Sequence, residues 1–302
     1  MDSNELVFQL RVIDFFRCFD KTISVTYPQT VIGEIEDTRF WISRFCPCAE
    51  CVNHVDTPTL SIVCLEDTAC YYTISSSQIR LYGFWNSFSS WLGKFVSQCF
   101  QSLVIESSIV FLPAASLFFG DASVLILGDF WQGKTTLSLS LMSLGFNLIS
   151  DNYTAVKNTV VLGGTRFLSV RSSMSHCVPD EYERLKDDNG RFFYERPLVD
   201  IRSKTVSLLV SPNLCAKKLE MSVLDRQEAL WYLFGKATRL INGEPLLFNG
   251  KLASPSFNDS RRADMVLTAC HKLLEGTSAY VVSGKPEEMA LCIKAMLKGL
   301  GK

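Results

Sequence analysis

One stretch of sequence restricts the fold more than any other, because it predicts a strand, a glycine-bounded loop and a helix in immediate succession. Val124–Leu127 is fully apolar, as in a strand that a sheet buries on both faces. The next residues, Gly128-Asp-Phe-Trp-Gln-Gly-Lys-Thr135, fit the pattern G-x-x-x-x-G-K-[ST]. Lys134–Leu144 has apolar residues at helical spacing and stops at Gly145, and Asn147–Ser150 predicts another strand. This order predicts an α/β core with a phosphate-binding loop.

Each fixed position of the loop has a physical task. Gly128 allows a sharp turn off the strand, and Gly133 tolerates unusual dihedral angles and lets the backbone approach a phosphate group. Successive N–H groups and the helix N-terminus would together form an anion-binding nest. Lys134 is expected to reach the β- and γ-phosphates, and the Thr135 hydroxyl to ligate Mg²⁺. The predicted site for a nucleoside triphosphate is therefore Gly128, Asp129, Phe130, Trp131, Gln132, Gly133, Lys134, Thr135 and Thr136.

Two aromatic residues stand in the loop where small residues are common. Phe130 and Trp131 could pack against the nucleotide base or against a neighbouring domain, or they could only shield the loop. The alternative for the whole segment is an ordinary strand–turn–helix with a chance Gly-Lys-Thr. The buried strand before the loop and the apolar-faced helix after it favour the phosphate-binding interpretation.

An acid follows the second predicted strand. Asp151 lies at the C-terminal end of Asn147–Ser150, a strand predicted to lie beside the loop strand. Ligands of open α/β sheets bind at such ends, where a carboxylate holds Mg²⁺ or accepts a proton from an attacking hydroxyl. The alternative is that Asp151 only shapes the next turn. We predict Lys134 and Asp151 as catalytic residues and Thr135 and Asp151 as Mg²⁺ ligands.

Phosphoryl transfer requires cations around the transferred group. Four arginines occur downstream in segments that could fold over the site: Arg166, Arg171, Arg191 and Arg196. Arg191 follows the Asn189-Gly190 turn and is expected on a mobile loop. Each arginine is also consistent with a plain surface charge.

A second cluster lies near the N-terminus. Cys46, Cys48, Cys51 and His54 fall within nine positions, and thiolates and imidazole are Zn²⁺ ligands. The spacing is tighter than in the usual zinc knuckles, so a turn with incidental cysteines or a redox pair is the alternative. Four protein ligands would leave no open position, and such a zinc would be structural.

The elements outside the core predict two domains, 1–104 and 105–302, the first with an accessory or substrate-recognition role. In the first domain we predict strands at Ser24–Tyr27, Arg39–Ser43, Leu60–Leu65, Tyr71–Ile74 and Gln78–Tyr82, and a helix at Trp85–Phe100. Downstream we predict strands at Ile109–Leu112, Ala115–Phe119, Thr159–Leu162, Phe167–Val170, Thr205–Val210 and Tyr280–Val282. Further helices are predicted at Val178–Lys186, Glu228–Gly235, Arg261–Leu274 and Pro286–Leu297.

Composition limits the classes of partner. The chain of 302 residues is 47% hydrophobic with a net charge of -1, so no overall field would recruit nucleic acid or an anionic membrane. It has no uninterrupted run of roughly 20 apolar residues and no basic patch ahead of an apolar run. We therefore expect a cytoplasmic protein that binds neither nucleic acid nor membrane. The 11 cysteines are spread along the chain and are predicted to be mostly reduced and buried.

The loop and the segment after it resemble a known family. Gly128-Asp-x-x-x-Gly-Lys-Thr-Thr-Leu and Leu144-Gly-Phe-x-Leu-Ile-Ser-Asp151 are similar to the C-terminal domain of HPr kinase/phosphorylase and to HPr-kinase-like proteins encoded beside modified-peptide biosynthesis genes. Leu112–Leu117 and Tyr280–Gly284 also resemble the family. The likeness covers residues 109–300. It implies a P-loop phosphoenolpyruvate carboxykinase-like core, and leaves residues 1–104 as a smaller, mixed or β-rich domain.

The resemblance implies an ATP- and Mg²⁺-dependent kinase whose acceptor is a Ser hydroxyl of a peptide or protein, with modified-peptide precursors among the candidates. By this likeness Asp151 matches the family's first acid, the base that activates the hydroxyl. Asn152 replaces the second acid and can ligate Mg²⁺ through its carbonyl oxygen. Pro113 replaces the family's His, so a kinase without the reverse reaction, or a member that has lost catalysis, fits better. The likeness also implies a homo-oligomer.

Three functions stay open on the sequence. The first is a kinase of a peptide or protein Ser, the second a kinase of a small-molecule alcohol, and the third a nucleotide-binding regulatory protein without turnover. The sequence does not distinguish ATP from GTP.

Overall fold

The computed structural model describes residues 10–28, 35–67, 69–83, 89–129, 132–195, 197, 204–214, 216–242, 247–248, 252–253 and 255–300. The chain forms two compact units. Unit 1 comprises Met1–Val104 and Arg239–Asp259, and unit 2 comprises Ile105–Thr238 and Ser260–Lys302. The second unit is thus discontinuous, where the sequence predicted one continuous domain over 105–302.

The segment Arg239–Asp259 is held within unit 1 by contacts that no local sequence pattern predicts. The buried amide of Gln98 donates hydrogen bonds to the backbone oxygens of Ile241, at 3.3 Å, and Pro255, at 2.5 Å. The Phe257 ring lies 6.2 Å from that of Phe95, centre to centre. These residues are far apart in sequence, so only the folded chain brings them together.

Unit 1 is built on a six-stranded sheet with two helices. Its elements in chain order are β1 (Leu10–Cys18), β2 (Lys21–Pro28), α1 (Ile35–Phe45), β3 (Glu50–Val52), β4 (Leu60–Glu66), β5 (Tyr71–Ile74), β6 (Gln78–Gly83) and α2 (Ser89–Val104). The strand order is β3-β1-β2-β4-β6-β5, with β2, β4 and β6 parallel. The predicted strand at Arg39–Ser43 is wrong, because it lies inside α1, whose buried Ile35, Thr38, Ile42 and Phe45 recur at helical spacing.

Unit 2 contains the predicted α/β core. Its first elements are β7 (Ile109–Leu112), β8 (Ala114–Phe119), β9 (Ala122–Leu127), α3 (Lys134–Met142), β10 (Asn147–Ser150), β11 (Thr154–Lys157), β12 (Val160–Gly164), β13 (Phe167–Arg171), β14 (Glu183–Asp188) and β15 (Arg191–Glu195). These are followed by β16 (Thr205–Asn213), β17 (Glu220–Val223), α4 (Arg226–Ile241), β18 (Leu247–Phe248), β19 (Leu252–Ala253), α5 (Ser260–Leu273), β20 (Ser278–Ser283) and α6 (Pro286–Leu300). Of these, β18, β19 and the end of α4 fall in unit 1.

The main sheet of unit 2 has nine strands and is mixed. Strands β9, β16 and β20 are parallel neighbours, β17 pairs antiparallel with β20, and β8 lies antiparallel between β9 and β10. Strands β12, β11 and β7 extend from the start of β16. Helices α3 and α6 bury their apolar residues, including Leu137, Leu141, Ile293 and Leu297, against this sheet.

The sequence predicted that β10 lies directly beside the loop strand β9. In the structure the two strands are not immediate neighbours. Strand β8 separates β10 from β9 and runs antiparallel to both. Consequently β9 and β10 point the same way, and their C-terminal ends share one edge of the sheet. The predicted carboxylate and the loop therefore still face the same edge.

The predicted helix at Val178–Lys186 is also wrong. Its second half belongs to β14, which pairs antiparallel with β15 across a tight turn. Asn189 and Gly190 both adopt positive φ, 47° and 73°, as a two-residue hairpin turn requires. With β13, these strands form a separate three-stranded sheet. Cross-strand pairing has thus overridden a local helical pattern.

No helix among the described residues combines the length and apolarity that crossing a bilayer would require.

Candidate functional site

The last glycine of the loop between β9 and α3 has the unusual backbone that its position predicted. Gly133 adopts φ 82° and ψ 15° immediately before the helix. A side chain at this position would be strained and would collide with Leu214. The first intrahelical bond runs from the N–H of Leu137 to the oxygen of Gly133, at 2.9 Å. The first N–H groups of a helix have no acceptor within that helix, and this property makes a helix start suitable for binding an anion.

Lys134 points into the loop and not into solvent. Its ammonium group donates hydrogen bonds to the backbone oxygens of Gly128, at 2.7 Å, and Asp129, at 2.9 Å. The residue is 9% exposed. The Lys134 ammonium therefore lies against the loop backbone, as a phosphate-binding lysine requires. Phe130 and Trp131 lie outside the described residues.

Two further contacts hold the first half of the loop. The N–H of Asp129 donates to Oε1 of Gln132 at 2.6 Å, so the Gln132 side chain closes a short turn over the loop. The carboxylate of Asp129 forms an ion pair with Lys236 of α4, Oδ1 to Nζ, at 2.7 Å. Lys236 is not among the predicted site residues, because no sequence motif connects a helix so far along the chain to this loop.

Asp151 receives two hydrogen bonds and is almost fully buried, at 3% exposure. The hydroxyl of Thr135 donates to its Oδ1 at 2.8 Å, and the N–H of Ser169 donates to its Oδ2 at 3.1 Å. The hydroxyl and the carboxylate are both oxygen ligands of the kind Mg²⁺ binds together with substrate phosphates. The structure thus brings together the two side chains that the sequence predicted as metal ligands.

The turn that carries Asp151 is stabilised by hydrogen bonds of the Ser150 side chain. The hydroxyl of Ser150 donates to the backbone oxygen of Tyr153 at 2.6 Å and accepts from the N–H of Thr165 at 3.1 Å. Both Ser150 and Thr165 are completely buried. The position of the Asp151 carboxylate therefore depends on a rigid polar network, which suits a residue that must present its oxygens in a fixed geometry.

Asn152 is buried next to Asp151, at 8% exposure. Among the residues that the structure describes, its buried side-chain nitrogen has no hydrogen-bond partner. A buried donor left unpaired costs about 1–3 kcal/mol, so such groups call for an explanation. The sequence predicted Mg²⁺ ligation through the carbonyl oxygen, whereas the structure leaves the nitrogen in need of an oxygen acceptor.

One of the predicted arginines is connected to the site. Arg191 donates from Nε to the Ser169 hydroxyl at 2.9 Å and from Nη2 to the Ser169 backbone oxygen at 2.8 Å. Because the N–H of Ser169 donates to Asp151, Arg191 holds a residue that in turn holds the carboxylate. The expectation that Arg191 lies on a loop is wrong, because it opens β15.

Two of the other predicted arginines lie at the two ends of β13. Arg166 is exposed and forms an ion pair with Glu195. Arg171 is exposed at the end of β13, directly opposite Arg191 in the strand register. Arg196 lies outside the described residues.

The predicted zinc ligands do not converge. Cys46 is buried at 1% exposure, and burial raises the pKa of its thiol well above the ordinary value, which disfavours the thiolate that binds metal. Cys51 is exposed on β3, and His54 is exposed and bonds to Asp56, Nε2 to Oδ1, at 3.0 Å. Within the described ranges, no group of three or more His, Cys, Asp or Glu side chains is placed to hold a metal ion. The cluster of Cys46, Cys48, Cys51 and His54 is close only in sequence.

The comparison with known proteins adds no functional assignment. No protein-family model matches the chain, and a search of the curated proteins finds no match either. The case for a function therefore depends on the geometry of the loop, Thr135 and Asp151.

Proposed function

We propose that the chain is an ATP- and Mg²⁺-dependent kinase that transfers the γ-phosphoryl group of ATP to a hydroxyl group. The observation that carries this proposal is the contact between the Thr135 hydroxyl and Asp151 Oδ1, at 2.8 Å, beside a loop that holds the Lys134 ammonium. A hydroxyl from the first helical turn, a buried carboxylate and an inward-pointing lysine are the groups that phosphoryl transfer uses.

Each of these residues has a defined task in the proposed reaction. The N–H groups at the start of α3 bind phosphate oxygens, and Lys134 offsets their charge. Thr135 and Asp151 would hold Mg²⁺, which supplies further charge neutralisation at the phosphates when bound. Oδ2 of Asp151 accepts from the Ser169 N–H and Oδ1 accepts from the Thr135 hydroxyl at the start of α3. Oδ1 is therefore the oxygen on the side of the loop, where a metal ion or the attacking hydroxyl would meet the carboxylate.

The favoured acceptor is a Ser hydroxyl of a peptide or protein. This preference comes from the resemblance to HPr-kinase-like proteins and the P-loop phosphoenolpyruvate carboxykinase-like core that it implies. The competing acceptor is a small-molecule alcohol. Both acceptors present the same reacting group, so the tasks of Lys134, Thr135 and Asp151 are the same for either.

A second candidate function is nucleotide binding without turnover. The observation that favours it is Asn152, which is uncharged and buried beside Asp151 in place of the second acid that the resemblance leads us to expect. Pro113 in place of the family's His points the same way. Such a protein would bind ATP on the same loop and use it as a regulatory signal.

One experiment separates these functions. Purified protein is incubated with ATP, Mg²⁺ and candidate Ser-containing peptides, and the peptides are analysed by mass spectrometry for a gain of phosphate. Nucleotide binding is measured in parallel by calorimetry. A kinase phosphorylates a peptide, and Asp151→Ala abolishes this while nucleotide binding persists. The matched control is Asp121→Asn, because Asp121 is a fully exposed acid in the turn before β9.

Three results are decisive. Normal turnover by Asp151→Ala would contradict the proposed mechanism. Nucleotide binding without phosphate transfer to any acceptor would favour the regulatory function. Loss of activity in Asp121→Asn as well would show that the assay reports charge or stability in general and not the site.

A further inference from the structure

The ion pair between Lys236 and Asp129 places a second cation at the loop. Lys236 is 12% exposed and Asp129 is 38% exposed, so the pair is partly shielded from water. The Lys236 ammonium also lies 5.0 Å from the centre of the Tyr232 ring, and the Tyr232 hydroxyl is 3.0 Å from Oγ of Ser211 on β16. The lysine is therefore anchored on one side by an aromatic ring of its own helix and on the other by the loop.

Asp129 raises an electrostatic difficulty for a loop that binds polyphosphate. It carries a negative charge between Gly128 and Gly133, in the segment whose N–H groups would face the phosphates. Like charges at short range repel each other, and more strongly where water is partly excluded. The one positive charge of Lys134, which lies against the backbone oxygens of Gly128 and Asp129, would be shared between the Asp129 carboxylate and the phosphates.

We infer that Lys236 masks the charge of Asp129 and thereby sets the affinity of the loop for polyphosphate. Lys236 is then a positioning residue: it acts through Asp129 and does not bind the ligand. The inference rests on the proposed function, since a nucleoside triphosphate is the ligand of the loop. It adds a helix distant in sequence to the machinery that binds the phosphates.

The opposing explanation is that Lys236 contacts a phosphate group directly. The two explanations predict different results when Asp129 is also neutralised. If Lys236 masks a repulsive charge, removal of that charge makes the lysine dispensable. If Lys236 binds phosphate, removal of Asp129 does not restore the lost contact.

The test is a double-mutant cycle on nucleotide binding. Dissociation constants for Mg²⁺-ATP are measured by calorimetry for the wild type, Lys236→Ala, Asp129→Asn and the double variant. We expect Lys236→Ala to weaken binding about fivefold, Asp129→Asn to bind as tightly as wild type or tighter, and the double variant to match Asp129→Asn within about twofold. Adenosine, which carries no phosphate, should bind with unchanged affinity in all four proteins.

The chain offers a matched control. Lys204 is 15% exposed, lies 3.2 Å from Oδ1 of Asp121 and stands 4.8 Å from the centre of the Phe118 ring. It therefore resembles Lys236 in burial, acid partner and aromatic contact. Lys204 precedes β16 and Asp121 precedes β9, so the pair lies at the opposite edge of the sheet from the loop. Lys204→Ala is expected to leave the affinity for Mg²⁺-ATP unchanged.

Each other result overturns the inference. Wild-type affinity in Lys236→Ala, a double variant as weak as Lys236→Ala, or an equal loss in Lys204→Ala would each do so while leaving the proposed function intact. If Lys236→Ala does not fold, Lys236→Met, which keeps an aliphatic stem beside Tyr232, takes its place in the cycle with the same expected results. A wild-type chain that binds no nucleotide overturns both the inference and the proposed function.

Discussion

Thr135 and Asp151 are joined by a hydrogen bond of 2.8 Å, from the threonine hydroxyl to Oδ1 of the buried carboxylate. The bond links the first turn of α3 to the end of β10, although β8 separates β10 from the strand that leads into the loop. It is available because β9 and β10 end at the same edge of the sheet, and because the first turn of α3 begins there.

Removal of the Thr135 hydroxyl should uncouple Mg²⁺ from nucleotide binding. We expect Thr135→Val to weaken Mg²⁺-dependent ATP binding by at least about tenfold, because one metal ligand is lost and Asp151 loses a donor. Thr135→Ser keeps the hydroxyl and should stay within about threefold of wild type. Calorimetric titration of ATP with and without Mg²⁺ measures both. Equal Mg²⁺ dependence in Thr135→Val and wild type would show that this hydroxyl does not ligate the metal.

Loss of Arg191 should lower the rate of phosphoryl transfer more than it weakens nucleotide binding. Arg191 holds Ser169, whose N–H holds Oδ2 of Asp151, so its removal releases the carboxylate from a fixed orientation. We expect Arg191→Met to reduce kcat about tenfold with little change in the dissociation constant for ATP.

The comparison variant is Arg166→Met, at the other end of the same strand pair. Arg166 has an exposed ion pair with Glu195, of a kind that contributes little to stability. It should retain wild-type kcat. If the two variants lose activity equally, or if Arg191→Met affects only ATP affinity, Arg191 does not act through Asp151.

Substitution of Asn152 should raise stability while lowering ligand affinity. Its buried nitrogen has no partner within the described part of the chain, so Asn152→Leu removes an unpaired donor and should increase the free energy of unfolding by about 1 kcal/mol. The same change removes a donor from the site and should weaken ATP or acceptor binding. Chemical denaturation and calorimetry measure the two effects.

Asn152→Asp distinguishes the two roles of this side chain. If the carbonyl oxygen ligates Mg²⁺, a carboxylate at this position should strengthen the dependence on Mg²⁺. If the nitrogen donates to a ligand oxygen, the carboxylate should repel that oxygen and weaken binding about tenfold. The unpaired nitrogen leads us to expect the second result.

Alkaline pH should destabilise the fold through its buried thiols. Burial raises the pKa of Cys270 to about 12 and raises the pKa values of Cys64 and Cys99 well above the ordinary thiol value. Their contribution to stability is present in full below the thiol pKa of the unfolded chain, about 8.5. Above that pH the unfolded chain loses these protons while the folded chain keeps them, so the free energy of unfolding falls by up to about 1.4 kcal/mol per pH unit for each buried thiol.

Denaturant titrations at neutral pH and at pH values above the unfolded thiol pKa measure this fall. Cys270→Ala should make the dependence on pH shallower. Cys51→Ser should alter it less, because Cys51 is exposed, although partial burial also raises the pKa of its thiol. An identical pH dependence in Cys270→Ala and wild type would mean that Cys270 does not contribute to it.

Local patterns in the sequence were sufficient for the elements that contribute most to the candidate site. The apolar run before Gly128, the unusual backbone required at Gly133, and the helical spacing after Lys134 each depend on residues a few positions apart. The hydrogen bonds and steric limits that they reflect are equally short in range. For the same reason β5, β7 and β10 have the bounds that their sequences predict.

Tertiary structure decided whatever depends on partners distant in the chain. Residues 183–186 became part of a strand because β15 supplied a pairing partner. The predicted strand at Arg39–Ser43 is a different case, because the helical spacing of the buried positions is already present in the local sequence. The cysteine cluster with His54 did not converge, whereas Arg191 reached Ser169 and Lys236 reached Asp129. The sequence by itself therefore determined the glycine-bounded loop, the helix after it and the position of Asp151. The folded sheet decided which distant side chains contact them, because long-range pairing and burial leave no local pattern.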